Sequence, residues 1–204
     1  MLWRMDMTWL RAAAAERVLV GIGFLLVLVA STYKLSESPG IWYDEGFYTQ
    51  LAMNLAEGHG QTLQIAPGTF VSSWAVTAGY PLVAPIALSY KIFGPGVLAG
   101  RSVMVLFLLG LAIASWALVR RLFGAGAAVA SLFLFATFPV LYGNGKSVLG
   151  EVPGLFFLVL ALHALLSLER SGWRATRWYI AAGAAAALCI ATKPLFILLL
   201  PAGF

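Results

Sequence analysis

The sequence predicts an all-α fold, namely a polytopic transmembrane helical bundle with an outer-face loop that carries short juxtamembrane helices. Hydrophobic residues make up 61% of the 204 residues and charged residues only 10%, whereas soluble domains average about 45–50% and about 25%. The apolar residues also gather into several runs that approach the roughly 20 residues a spanning helix needs. This composition excludes a disordered chain, a disulfide-rich secreted scaffold and an ordinary cytosolic enzyme.

Five apolar runs, and the start of a sixth, are predicted to span the membrane. The first, residues 18–33, is short and follows three arginines, so a cleaved signal peptide is the alternative to the uncleaved anchor that we favour. The last run stops at the chain end with no polar tail, and we therefore expect residues 1–204 to be a single N-terminal transmembrane portion of a longer protein. The later runs cover residues 99–119, 126–142, 152–168, 179–192 and the truncated 194–204.

Residues 34–98 are predicted to form the outer loop. Within it, residues 44–57 place apolar side chains at helical spacing and predict a short amphipathic helix. Residues 74–93 are apolar and nearly long enough to cross, but Pro81 and Pro85 interrupt them. Their path therefore has to be decided by another signal.

Basic residues supply that signal, because Lys and Arg concentrate on the cytoplasmic side of membrane proteins. If residues 74–93 do not cross and the N-terminus is cytoplasmic, eight basic residues lie inside and five outside. If they cross, the split is seven to six, and two arginine clusters face outward. We therefore expect residues 74–93 to lie along the outer surface or to re-enter. Asp44, Glu45, Glu151 and Lys193 then lie on or near one outer face. The same distribution explains the net charge of +5 without nucleic acid.

Adjacent carboxylates at Asp44 and Glu45 form the first candidate catalytic group. A carboxylate within hydrogen-bond reach can take a proton from an attacking hydroxyl. The alternative is that Asp44 is the N-cap of the amphipathic helix and that Glu45 is favoured by the helix dipole. The two interpretations are compatible.

Glu151, at the start of a predicted span, is the second candidate acid. An ionisable residue at membrane depth is costly and by default suggests function. Its alternative role is a helix-start carboxylate ahead of Pro153.

Three cations at the outer ends of apolar runs could hold a lipid phosphate and stabilise charge on a phosphate leaving group. Each could instead extend its charged end to the membrane surface. They are Arg101, Lys146 and Lys193.

Two apparent motifs are rejected. Gly145-Lys146-Ser147 resembles the end of a phosphate-binding loop, but Val140 stands where that motif needs glycine. His59 and His163 are predicted near opposite faces and not as a metal site, so His163 is interpreted as a helix–helix hydrogen bond.

The order of these features resembles the N-terminal part of the integral-membrane C-type glycosyltransferases, in particular the protein O-mannosyltransferase and lipid A aminoarabinose transferase group. The likeness covers nearly the whole chain. It departs in having Glu151 where several relatives carry Asp, and in lacking a charged residue or histidine just before Pro81. The matching pieces, in order, are Asp44-Glu45 opening a surface helix, the segment ending in Lys91-Ile92-Phe93-Gly94, the Arg101-led span ending in Arg120-Arg121-Leu122-Phe123-Gly124, Glu151, and Thr192-Lys193-Pro194.

The resemblance implies transfer of a sugar from a polyprenyl-phosphate carrier to an acceptor hydroxyl on the outer face of a bacterial cytoplasmic (inner) membrane. Asp44 matches the acid that acts as base or positions the acceptor, and Glu151 matches the second acid. The partners are this donor, membrane lipids and an acceptor that the sequence does not identify. Phosphate is already a competent leaving group, so no metal or cofactor is expected. Because family chains are much longer, we expect the 204 residues alone to be inactive.

Two other functions fit parts of the sequence. A transporter or channel fragment would explain the interruptions at Pro81 and Pro85, since discontinuous helices often line substrate sites. It would not explain carboxylates gathered on one face beside a long outer loop. An inactive, truncated product that only inserts into the membrane is the third possibility.

Overall fold

The structure is a computed structural model that describes residues 7–73 and 77–199. The described residues form eight α-helices, one β-hairpin and a terminal 3₁₀ helix, and the predicted all-α fold class is confirmed. The elements are α1 (Met7–Thr32), α2 (Tyr43–Ala56), β1 (Thr62–Ala66), β2 (Thr69–Ser72), α3 (Tyr80–Phe93), α4 (Val97–Phe123), α5 (Ala125–Thr137), α6 (Pro139–Gly143), α7 (Glu151–Arg170), α8 (Thr176–Thr192) and the 3₁₀ helix Pro194–Leu199.

Three helices in the described ranges are long and apolar enough to cross a membrane. They contain the segments Ala14–Thr32, Val97–Phe123 and Glu151–Arg170. Within the bundle, α7 packs on both α8 and α4, and α5 packs on α4 and α1. These contacts place α4 and α7 at the centre, where each has a neighbouring helix on more than one side.

Proline breaks the segment that the sequence predicts as one span over residues 126–142. The structure ends α5 at Thr137 and begins α6 at Pro139. Phe138 between them has extended backbone angles, because the proline ring disfavours the helical conformation of the residue before it. The segment is therefore not one continuous helix, and its crossing of the membrane stays a prediction.

Helix α3 covers the part of residues 74–93 that the structure describes, since residues 74–76 lie outside the described ranges. Its 14 residues extend about 21 Å at 1.5 Å per residue, which is short of the roughly 30 Å hydrocarbon core. It packs on α2 and α4, and its buried side chains Leu82 and Ile86 join the main apolar cluster with Leu51, Met104 and Leu108. The helix thus forms a layer between the outer-loop residues and the central bundle.

Besides α3, residues 34–98 contain a second helix and a β-hairpin. Helix α2 confirms the predicted amphipathic helix and begins one residue earlier, at Tyr43. The antiparallel hairpin of β1 and β2 was not predicted. The sequence pattern that marks this hairpin is brief, because Pro67-Gly68 lies between strands of only five and four residues. Gly68 has a φ of +72°, as the second central residue of a type II turn requires.

The two ends of the bundle differ in their charged groups. At one end, Glu16 of α1 pairs with Arg120 of α4, and Arg170 of α7 donates to the Arg121 carbonyl oxygen at 3.3 Å. We call this the arginine end. The opposite end is called the loop end, because α2, α3 and the hairpin cover it. There α1 and α8 finish, and α4 and α7 begin.

His163 confirms the helix–helix hydrogen bond predicted for it. Its Nε2 lies 2.8 Å from the Ala114 carbonyl oxygen of α4, and its Nδ1 lies 3.0 Å from Nη1 of Arg121. Since a carbonyl only accepts and a guanidinium only donates, the geometry fits the neutral tautomer with the proton on Nε2. The imidazole therefore connects α7 to α4 near the arginine end.

Candidate active site

The loop end is built around a buried ion pair between Glu45 and Arg101. Arg101 donates from Nε and Nη2 to the two carboxylate oxygens of Glu45, each at 2.8 Å. The relative exposure of these side chains is 0% for Arg101 and 2% for Glu45. A two-pronged pair of this kind fixes the guanidinium plane as well as its distance.

The remaining polar atoms of this pair join three further points of the chain. Arg101 also donates to the carbonyl oxygens of Leu35 at 2.9 Å and Pro39 at 2.8 Å, while the Val148 amide donates to Glu45 at 3.1 Å. The pair thus ties the start of the outer loop, α2, α4 and the loop before α7 together. Arg101 is buried, and its guanidinium nitrogens already donate to Glu45, Leu35 and Pro39. This arrangement gives no support to the predicted phosphate-binding role.

Asp44, next to Glu45, has a different environment. The N-cap of α2 is Trp42, with no side-chain capping hydrogen bond, so the interpretation of Asp44 as the N-cap is wrong. Asp44 lies in the first turn and is half-buried. No described residue donates a hydrogen bond to its carboxylate. Instead it lines a cavity of about 480 Å³ whose wall also includes Gly40, Trp42, Asn144, Ser147 and Glu151.

Glu151 therefore shares a cavity with Asp44, although more than 100 positions separate them in sequence. Glu151 begins α7 and forms an ion pair with Lys193, at the junction of α8 and the 3₁₀ helix. The Glu151 side chain is 51% exposed and that of Lys193 is 15% exposed. Lys193 does not line the cavity itself, but it pairs with Glu151, which does, so a positive charge lies directly behind this wall.

Lys146 lies in the loop before α7 but belongs to another environment. Its side chain is buried, and Nζ donates to the Tyr33 carbonyl oxygen at 2.8 Å, just beyond the end of α1. Burial, and then the nearby positive charge of Arg101, lower the pKa of Lys146 from its usual value. The structure does not bring Lys146 to the Asp44 cavity. Its neighbour Ser147 does line it, together with Asn144. Neither residue was predicted to belong to the site, and Ser147 appeared only in the rejected phosphate-loop motif.

A larger cavity, of about 680 Å³, lies on the other side of the α2 N-terminus. Glu45, Phe47, Met53 and Tyr90 are among its lining residues. Burial, and then the negative charge of Glu45, raise the pKa of Tyr90 to about 12. Tyr90 is thus a protonated hydroxyl at neutral pH, and the walls of this cavity are mainly apolar.

The Asp44 cavity offers the parts of a substitution reaction. A carboxylate without a hydrogen-bond donor can accept a proton from a hydroxyl. An ammonium nearby can stabilise negative charge that develops on a leaving group. Hence the arrangement combines a candidate base, a second acid and a counter-charge at the loop end of the helical bundle.

Fold and site together define a polytopic helical membrane protein with a carboxylate-lined cavity at one end of its bundle. The family model described as dolichyl-phosphate-mannose-protein mannosyltransferase matches residues 81–204, which is more than half of the chain. The chain therefore belongs to this family of membrane glycosyltransferases, as the resemblance predicted. No curated protein and no solved structure matches the chain.

Proposed function

We propose that this protein transfers a sugar from a polyprenyl-phosphate-linked donor to an acceptor hydroxyl at the outer face of the membrane. The observation that carries the proposal is the open carboxylate of Asp44 in a cavity whose wall includes Glu151, the ion-pair partner of Lys193. Membership of the mannosyltransferase family supports the reaction class. The distribution of basic residues favours a cytoplasmic N-terminus, and the resemblance to the family implies a bacterial cytoplasmic (inner) membrane as the location.

In the proposed step, Asp44 accepts the proton of the acceptor hydroxyl while the acceptor oxygen bonds to the anomeric carbon. The bond between that carbon and the phosphate oxygen breaks, and its electron pair leaves with the polyprenyl phosphate. Lys193 stabilises the charge of the departing phosphate, and Glu151 holds Lys193 at the cavity wall. Atoms and charge balance with no added reactant.

Glu45 and Arg101 are proposed as positioning residues. Their ion pair fixes the first turn of α2 against α4, and Asp44 is the residue directly before Glu45. A rigid first turn keeps the Asp44 carboxylate directed at one place, which matters because small displacements of a catalytic group can cost orders of magnitude in rate. Direct proton transfer by Glu45 is not part of this scheme, because its oxygens already accept from Arg101 and Val148.

The donor class can be tested with membrane vesicles that contain a labelled sugar and the full-length enzyme, of which we expect residues 1–204 to be the N-terminal portion; the activity measurements on variants below use the same full-length enzyme. One sample receives the sugar on polyprenyl phosphate, and a matched sample receives it as a nucleotide sugar, each with a mixture of hydroxyl acceptors. We expect transfer and stoichiometric release of polyprenyl phosphate only from the lipid-linked donor. Transfer from the nucleotide sugar in vesicles free of polyprenyl phosphate would contradict the proposal.

A further inference from the structure

A separate groove runs between α1 and the turn that joins α5 to α6, with a volume of about 460 Å³. We call it the α1–α5 groove. One side is apolar, formed by Leu26, Val29, Ala30 and Ala136. Toward the loop end its wall becomes polar, with the hydroxyl-bearing residues Ser38, Thr137 and Tyr142 and the ammonium-bearing Lys146.

Lys146 is the unusual member of this groove. It is 3% exposed, and its recorded hydrogen bond goes to the Tyr33 carbonyl oxygen. An ammonium group has three donors, and no carboxylate among the described residues forms an ion pair with it. The charge that lowers its pKa, after burial, is the positive Arg101. Buried charges in proteins are normally paired, but Lys146 has no counter-ion within residues 7–73 and 77–199.

Helix capping explains only part of this arrangement. A cation near the C-terminus of α1 interacts favourably with the last carbonyls, and the bond to Tyr33 is such a contact. It satisfies one donor of three and leaves the charge unneutralised. A ligand that brings an anion to Lys146 and a hydrocarbon chain to the apolar side would match the groove at both ends.

We propose that the α1–α5 groove binds an anionic glycerophospholipid, with its phosphate on Lys146 and one acyl chain along Leu26 and Val29. A donor lipid is a poorer fit. Its phosphate is bonded to the anomeric carbon and must lie near Asp44, whereas the loop containing Lys146 and Ser147 separates the groove from the Asp44 cavity. The bound phospholipid is thus a resident ligand, and this assignment stands whether or not the transfer reaction does.

The test measures thermal unfolding of the protein, purified in a zwitterionic detergent and titrated with phosphatidylglycerol. Phosphatidylcholine, polyprenyl phosphate and inorganic phosphate are titrated in parallel. We expect phosphatidylglycerol to raise the unfolding temperature with the lowest half-saturating concentration. Lys146→Gln should raise that concentration roughly tenfold or more, since removing one partner of a buried charge pair is costly. Lys146→Arg should retain much of the effect.

Two further variants separate lipid binding from general stability. Ala30→Trp fills the groove without touching Lys146, so it should also abolish the lipid effect. Lys91→Gln removes an exposed lysine of α3 and should leave the effect unchanged. A full phosphatidylglycerol effect in either Lys146→Gln or Ala30→Trp would overturn the proposal. So would equal stabilisation by inorganic phosphate, or tighter binding of polyprenyl phosphate that either variant abolishes.

Discussion

The guanidinium of Arg101 and the carboxylate of Glu45 face each other through two 2.8 Å hydrogen bonds in a site closed to solvent. The two residues are 56 positions apart and lie on α4 and α2. Their contact determines which carboxylate of the Asp44-Glu45 pair faces the protein and which faces the cavity. The loop end therefore has one carboxylate held in a buried ion pair and, beside it, one that lines the cavity and accepts no hydrogen bond from the described residues.

Glu45→Gln should destabilise the protein strongly. It keeps the size of the side chain but leaves the buried Arg101 without a counter-charge, and breaking a buried pair typically costs about 3–5 kcal/mol. Thermal unfolding in detergent measures the loss. Glu37→Gln, which changes an exposed carboxylate of the same loop, is the matched control and should have little effect. Equal stability of the two variants would show that the pair does not hold the loop end together.

Asp44→Asn should separate catalysis from stability. The structure gives the Asp44 side chain no capping bond to lose, so only the modest interaction with the helix dipole, about 0.3–1 kcal/mol, is affected. An amide cannot act as a general base at neutral pH, and general-base catalysis contributes about 10²–10⁴-fold. Transfer from the lipid-linked donor in vesicles should fall by that factor while donor binding persists. Near-normal turnover would remove the main support for the proposed mechanism.

The sequence identified the helices because apolar runs and their terminators are local signals. Residues 99–119 and 152–168 correspond to α4 and α7 within a few residues, and Gly124 at the end of α4 has a φ of +86°. The helix break before Pro139 is predictable from the sequence, because proline disfavours the helical conformation of the residue before it. It was missed because the hydrophobic run continues through it.

The site was only partly predictable, because its roles depend on contacts between distant segments. Asp44 and Glu45 are neighbours of the same chemical class, and the sequence has no feature that tells which one faces Arg101. The side-chain direction is set by helical geometry and by the position of α4. In the same way, Lys146 and Ser147 are adjacent but line different cavities. The three cations that looked equivalent in sequence thus have three different environments.

Gly79→Ala should destabilise the contact between α3 and α8. The Gly79 amide donates to the Thr192 carbonyl oxygen at 3.1 Å, and a Cβ at Gly79 would collide with the backbone carbonyl of Ala191. Backbone cannot move aside as a flexible side chain can, so we expect a loss of about 1–3 kcal/mol, as for other overpacked sites. Gly126→Ala, in open space on α5, is the control and should be neutral or slightly stabilising. An unfolding temperature for Gly79→Ala equal to that control would contradict the close approach.

Cysteine labelling should show the two ends of the bundle on opposite sides of the membrane. In a Cys189→Ala background, a membrane-impermeant thiol reagent added outside should label cysteines at Glu57 and Asn144, because both positions are exposed at the loop end. It should not label a cysteine placed at Arg174, a position that is exposed near the arginine end. Permeabilised membranes, in which all three should react, control for reactivity. Labelling of Arg174 from outside in intact membranes would reverse the proposed orientation.

Lys193 provides the sharpest test of the leaving-group step. Its pair with Glu151 is partly exposed, and such pairs contribute only about 0–1 kcal/mol to stability, so Lys193→Met should fold nearly normally. Loss of a positive group that stabilises transition-state charge typically costs about 10²–10³-fold in rate. We therefore expect kcat for transfer to fall by that factor, with a smaller change in KM for the acceptor.

Lys193→Arg, which keeps the charge, should recover part of the rate lost in Lys193→Met. Glu151→Gln tests the other partner of the pair. In the proposed scheme Glu151 only holds Lys193, so its loss should lower kcat less than Lys193→Met does. A donor with a more acidic phosphate leaving group depends less on a counter-charge, and it should narrow the gap between Lys193→Met and the unmodified protein. If Lys193→Met slowed transfer from all donors equally, Lys193 would not act on the leaving group. If Glu151→Gln were the more severe variant, Glu151 and not Lys193 would be the residue in contact with the reacting atoms.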